Sequence, residues 1–130
     1  MSSIFTKIVR KEIPSYKVYE NERFYAFLDI NPLKKGHTLV IPKNEIDYIF
    51  DLDSEEYKNL WSFAKIVAAG MKKVINCERI SIVVMGLEVP HAHIHLIPLD
   101  NMNDIDFSRP KLNLSKEEMQ QIADNIRNAI

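Results

Sequence analysis

Apolar positions in this chain recur with two periods, and the switch between them predicts the elements. Ile4, Phe5, Ile8 and Val9 stand at helical spacing and predict a short amphipathic helix that stops before Pro14. Tyr16 to Glu20 and Arg23 to Ile30, rich in aromatic and apolar residues, read as strands, with Asn21-Glu22 as their turn. The Pro and Gly of residues 31–36 mark a loop, and His37 to Ile41 reads as a third strand closed by Pro42. Asp53 followed by Glu56 resembles a capping box and opens a long helix whose apolar face runs from Tyr57 through Leu60, Trp61, Ala64, Val67 and Met71 to Ile75. Gly70 costs that helix roughly 1 kcal/mol relative to Ala. Arg79 to Met85 is β-branched and reads as a buried strand, and His91 to Leu99 as its antiparallel neighbour, joined through residues 86–90. Ser115 and Glu118 form a second capping box for a C-terminal helix over about residues 115–129. Strands clustered around one long helix predict a single α+β domain over residues 1–130, with a mainly antiparallel five-stranded sheet.

Composition narrows the class without choosing a function. Apolar residues make up 46% and charged residues 27%, as in an ordinary globular protein. A net charge of −1 supplies no global field for nucleic acid or an anionic membrane, so neither is an expected partner. Cys77 is the one cysteine, which excludes an intrachain disulfide and a Cys-based zinc site. A reducing, cytoplasmic setting is the expectation. No apolar run reaches bilayer length, and Met1 to Lys11 lacks the apolar core of a secretory signal.

The densest chemistry lies in Pro90-His91-Ala92-His93-Ile94-His95-Leu96-Ile97-Pro98, which holds three of the four histidines. On a strand, alternate residues share a face about 6.5–7 Å apart, so the imidazoles would form a row opposite Ala92, Ile94 and Leu96. Three readings compete. The imidazoles are structural and hydrogen-bonded; or they bind a metal with help from Asp29, Glu45 or Glu88; or one attacks phosphorus. In the third reading each imidazole plays a different part, as nucleophile, as tautomer-fixing neighbour or as donor to phosphoryl oxygen.

These residues resemble the His-φ-His-φ-His-φ-φ signature of the histidine triad (HIT) family. Ile4-Phe5-Thr6-Lys7-Ile8-Val9, Lys11-Glu12-Ile13-Pro14, Ala26 to Pro32 and Gly36 to Lys43 resemble its Hint branch in the same order. The likeness covers roughly residues 3–99. It implies a HIT-like fold whose sheet continues across a homodimer, with a purine-nucleotide site in each subunit. It also implies cleavage at the α-phosphate of nucleotidyl conjugates such as an adenosine phosphoramidate, with no cofactor. By position, His93 is the implied nucleophile, which becomes transiently nucleotidylated. His91, His95 and His37 are its hydrogen-bonded neighbours, Asp29 is the ribose acceptor, and Phe5, Ile8, Phe27 and Ile30 form the base pocket.

Three departures from the family pattern shape the expectations. Many bacterial relatives hold a structural zinc with two cysteines, a histidine after the Pro-Lys pair and the first triad histidine. Here those partner positions are Ser3, Thr6 and Glu45, so a zinc-free state is expected. The stretch before the triad, Met85-Gly86-Leu87-Glu88-Val89-Pro90, offers the phosphate only the backbone near Gly86. Glu88 either protonates an amine leaving group, positions water, or is a solvated loop carboxylate. Lys34 and Lys35 read as solvated turn lysines, with contact to a distal phosphate or a substrate's acidic group as the alternative. A nucleotide-binding partner module with little catalysis is the competing function, and a metal-dependent hydrolase a third.

Overall fold

The computed structural model describes residues 2–130. Helix α1 (Ile4–Val9) precedes strands β1 (Lys17–Glu20), β2 (Phe24–Leu28) and β3 (Thr38–Pro42). The long α2 (Ser54–Val74), strands β4 (Arg79–Val83) and β5 (Ile94–Leu99), and α3 (Lys116–Asn128) follow. Capping at all three helices follows the side-chain chemistry: Ser3 accepts from Thr6 N–H, Asp53 from Glu56 N–H and Ser115 from Glu118 N–H. The strands form one antiparallel sheet in the order β1-β2-β3-β5-β4.

Register decides what each face carries. Phe27 pairs with Leu39 and Leu39 with His95, so these three side chains line up across one face. Tyr25 and Ile41 extend that face, and Phe5 and Ile8 of α1 pack on it as a small second cluster. The opposite face carries Phe24, Ala26, Leu28, Val40, Ile94 and Leu96 against Leu60, Phe63, Ala64, Val67 and Met71 of α2. This larger cluster is the core, and truncating fully buried Leu60 to Ala would cost about 2–5 kcal/mol. Gly70 now has a reason: a Cβ there would lie 2.5 Å from Ile130 and 3.3 Å from the Ile126 carbonyl, so glycine lets α3 approach α2.

Three expectations change. The strand over Arg79 to Met85 is not buried: β4 is the sheet's edge, bonded only to β5, and Ile82, Val84 and Met85 are exposed. The strand expected from His91 begins instead at Ile94, because His91 N–H bonds to the Val89 carbonyl and Ala92 N–H to the Ile46 carbonyl. The face alternation survives this irregularity, with Ala92, Ile94 and Leu96 all in the core. Lys34 and Lys35 are not free turn lysines. Lys34 sits 3.5 Å from Asp104 and 3.6 Å from Asp100, and Lys35 3.2 Å from Glu118, tying the loop after β2 to the C-terminal segment. Among the described residues no helix is long and apolar enough to cross a membrane.

Candidate active site

The sheet face under α1 gathers all four histidines. Every one is buried, His91 and His37 almost completely. The rings of His93 and His95 stand 5.0 Å apart and those of His95 and His37 5.2 Å, centroid to centroid. The Phe5 ring sits edge-on to His93 at 5.1 Å and to His91 at 5.8 Å.

The hydrogen bonds fix each proton. At one end, His91 Nε2 lies 2.7 Å from the Pro42 carbonyl, which can only accept, so Nε2 carries the proton. His91 Nδ1 is therefore the acceptor for the Ser3 hydroxyl at 2.8 Å. At the other end, the Leu33 N–H donates to His37 Nδ1 at 3.1 Å. His37 Nε2 must then be protonated, and it donates to His95 Nδ1 at 2.9 Å. This leaves His95 with a proton on Nε2. Between them, His93 Nδ1 donates to the His91 carbonyl at 2.7 Å, so its Nε2 holds a free lone pair.

Electrostatics agree with neutral rings. Burial lowers the pKa of His37 to about 3 and that of His95 to about 4, reinforced in each case by a neighbouring imidazole. Burial also lowers that of His91, against the Pro42 and Glu45 contacts that favour its charged form. With Nδ1 of His93 donating to the His91 carbonyl, Nε2 is the ring nitrogen placed for nucleophilic attack: once it bonds an electrophile, the Nδ1–H bond becomes charge-assisted. The His95 Nε2–H is the donor available to an oxygen gaining charge on that electrophile.

Asp29 follows β2, with its N–H bonded to the His37 carbonyl and its carboxylate 3.5 Å from His37 Nε2. Burial raises its pKa, partly offset by the Asn31 N–H; nearby Glu88 adds a smaller upward push. Glu88 itself is exposed. Phe5, Ile8 and Phe27 close on one another, whereas Ile30 is 69% exposed and lies outside their cluster. Gly86 adopts φ +73° with no atom within 4 Å of a would-be Cβ, so the turn itself, rather than a close approach, requires glycine. A hollow of about 550 Å³ reaches His93 from the α2 side, lined by Tyr48, Phe50, Tyr57, Trp61, Ile82 and Met85 among others.

Two residue groups bear on metal binding. Asp29, His37 and His95 place ligand atoms within 4.8 Å of one another. Yet the His37 Nε2 there carries the proton forced by Leu33 N–H, so an ion would have to displace it. The second group is Ser3, Thr6, Glu45 and His91, where the family pattern places zinc. Thr6 donates its hydroxyl to Glu45 at 2.7 Å and Ser3 its N–H at 2.6 Å, which lowers the Glu45 pKa to about 2. Zinc takes thiolate, imidazole or carboxylate donors at about 2.0–2.3 Å. Two hydroxyls, directly bonded to the other members of the group, do not fit it.

Phe107 is a site residue that the sequence pattern does not reveal. The segment after β5 turns through a short 3₁₀ helix (Met102–Ile105) and lays the Phe107 ring edge-on to His95 at 5.0 Å and to His37 at 6.2 Å. Asn101 and Asp104 form a capping box that could have marked the turn. No local signal marks Phe107.

The fold and its four-histidine face define a histidine triad protein, and comparison with known proteins agrees. A profile of the HIT domain matches residues 10–102, and the chain belongs to that family. It is 38% identical over 128 residues to an uncharacterized HIT-like protein of Borreliella burgdorferi, with 92% of each chain covered. It is 33% identical to an adenosine 5′-monophosphoramidase of Schizosaccharomyces pombe, across 100% of this chain and 99% of the relative. The crystal structure of a HIT-like protein from Bartonella henselae superposes with a TM-score of 0.85 at 31% identity, covering 99% of this chain and 97% of that one.

Proposed function

We propose that the chain hydrolyses purine nucleotidyl conjugates of the adenosine phosphoramidate type at the α-phosphate. The observation that carries this is the bare Nε2 of His93 beside the protonated Nε2 of His95. His93 Nε2 attacks phosphorus, the bond from phosphorus to the leaving amine breaks, and the amine departs with a proton. Glu88, an exposed carboxylate near Asp29, is the candidate to deliver that proton or to position water. Water then cleaves the nucleotidyl-His93 bond, releasing the monophosphate and restoring the ring. His91 fixes the nucleophile through its carbonyl, and His37 fixes His95. Asp29 accepts the ribose hydroxyls, Phe5, Ile8, Phe27 and Ile30 hold the base, and the Gly86 backbone faces the phosphate. No cofactor is required. The relationship to a monophosphoramidase over nearly the full length of both chains supports this substrate class.

The acting unit in this reading is a homodimer of single-domain subunits, joined edge to edge through β4. The open β4 edge, its exposed Ile82, Val84 and Met85, and the aromatic hollow beside them support that partner. A second reading, a nucleotide-binding partner module with little catalysis, is favoured by one observation. Met85 and Leu87, both exposed before the triad, bring no side-chain donor to a phosphate. Incubation with adenosine 5′-phosphoramidate decides between them. Release of AMP, with a nucleotidyl adduct on His93 trapped by acid-free quench and mass spectrometry, supports the hydrolase. Tight AMP binding without turnover supports the module.

A further inference from the structure

The group Ser3, Thr6, Glu45 and His91 does more than close a helix end. The N-cap of α1 needs one lone pair of Ser3 Oγ, which receives the Thr6 N–H at 3.0 Å. It needs neither the Ser3 proton on His91 Nδ1 nor Glu45. Yet Glu45 reaches across 42 residues to take the Ser3 N–H and 39 to take the Thr6 hydroxyl on a single oxygen. The Thr6 hydroxyl, so committed, leaves His91 Nδ1 to Ser3.

The chain of bonds ends on the reacting ring. His91 is gripped at Nδ1 by Ser3, at Nε2 by the Pro42 carbonyl and at its own N–H by the Val89 carbonyl. Its remaining polar group is the carbonyl that accepts from His93 Nδ1. The same contacts pin α1, whose Phe5 ring meets the edge of His93. Two of the contacts that orient the His93 ring, the His91 carbonyl and the Phe5 edge, pass through this one group.

We propose that Ser3, Thr6 and Glu45 form a metal-free latch that positions the His93 nucleophile through the His91 carbonyl and the Phe5 ring. These are positioning residues, since none touches the reacting atoms, and the idea rests on the reading of His93 as nucleophile. The latch is built from hydroxyls and a carboxylate already bonded to one another, so activity here is independent of zinc.

The test centres on Glu45, whose exposure lets it be changed without opening the core. Glu45→Ala is expected to lower kcat on adenosine 5′-phosphoramidate about fivefold, with KM changed less than about twofold. Glu45→Gln keeps an amide oxygen for both donors and should restore most of the loss. The His93 Nδ1–H resonance of the ¹⁵N-labelled full chain should move in Glu45→Ala and return in Glu45→Gln. EDTA treatment should leave wild-type kcat unchanged. An unaltered kcat in Glu45→Ala, failure of Glu45→Gln to rescue, or EDTA loss reversed by zinc would each overturn the latch. If the wild type does not turn over the phosphoramidate, the proposed function fails. The latch is then judged on the His93 resonance alone, where no movement in Glu45→Ala refutes it.

Discussion

The two ends of the histidine row are held by opposite means. At the His91 end the anchor is an acceptor, the Pro42 carbonyl, and the surrounding partners are hydroxyls and a carboxylate from α1 and the loop after β3. At the His95 end the anchor is a donor, the Leu33 N–H, relayed through His37, with Phe107 laid over both rings. The acceptor meets Nε2 of His91 and the donor meets Nδ1 of His37, so both ends place the ring proton on Nε2, and only His93, whose Nδ1 donates to the His91 carbonyl, carries it on the other nitrogen. His93 is left with a lone pair and His95 with a proton, both on Nε2. Main-chain groups, the Pro42 and His91 carbonyls and the Leu33 N–H relayed through His37, set which nitrogen of each triad ring carries the proton.

Removing the proton donor at the His95 end should produce the largest effect in this comparison. His95→Ala is expected to lower kcat about 10²–10³-fold in steady-state hydrolysis, the usual loss on deleting one donor to developing oxyanion charge. A loss below tenfold would detach His95 from the phosphoryl oxygens.

His37→Gln sharpens the same end by removing the relay while keeping a polar side chain. The amide cannot reproduce both hydrogen bonds, and kcat should fall about tenfold. This variant also isolates a pH effect. His37 and His95 titrate near 6.5 when unfolded but near 3 and 4 when folded, so between those limits the unfolded chain binds more protons. Their contribution to stability is complete above pH 6.5 and is lost as pH falls towards 4 and then 3. Thermal melts should show Tm dropping over that window, and His37→Gln should flatten the drop by up to about 1.4 kcal/mol per pH unit. A variant profile as steep as wild type would contradict the buried, neutral His37.

Asp29→Asn tests the sugar side, where the carboxylate also lies 3.5 Å from His37 Nε2 at the His95 end. Nucleotide affinity measured by calorimetry should weaken about tenfold, the worth of a hydrogen bond to a charged acceptor. Phe107→Ala should have the smallest effect, a fall in kcat of about threefold as water reaches the edge of His95. A measurable rise of the His95 pKa by NMR titration would accompany it.

Much of this is readable along the chain, and what is not has physical reasons. The alternation of Ala92, Ile94 and Leu96 with the histidines tells which face each occupies, because period two survives even where ladder bonding fails. Capping at Ser3, Asp53 and Ser115 is local chemistry and is legible as such, at least for the two long helices. By contrast, the edge position of β4 depends on how strands are ordered, and Val, Ile and Met look alike on a buried strand and on one awaiting a partner. Lys34 and Lys35 look solvated in the sequence because their acids lie about 65 to 85 residues downstream. Phe107 is invisible for the same reason, and because a lone aromatic between polar residues carries no period. Tautomers are the deepest gap: they depend on the Pro42 and His91 carbonyls and the Leu33 N–H, main-chain groups of a kind that carries no sequence signal.

Long-range ¹H–¹⁵N correlation spectra of the imidazoles at pH 7 test the tautomer assignment most directly. The hydrogen bonds require protons on Nε2 of His91, His37 and His95, and on Nδ1 of His93 alone. A spectrum with three Nε2–H rings and one Nδ1–H ring, the latter vanishing in His93→Ala, is the expected result. A proton on Nε2 of His93 would contradict it, because that nitrogen could not then attack phosphorus.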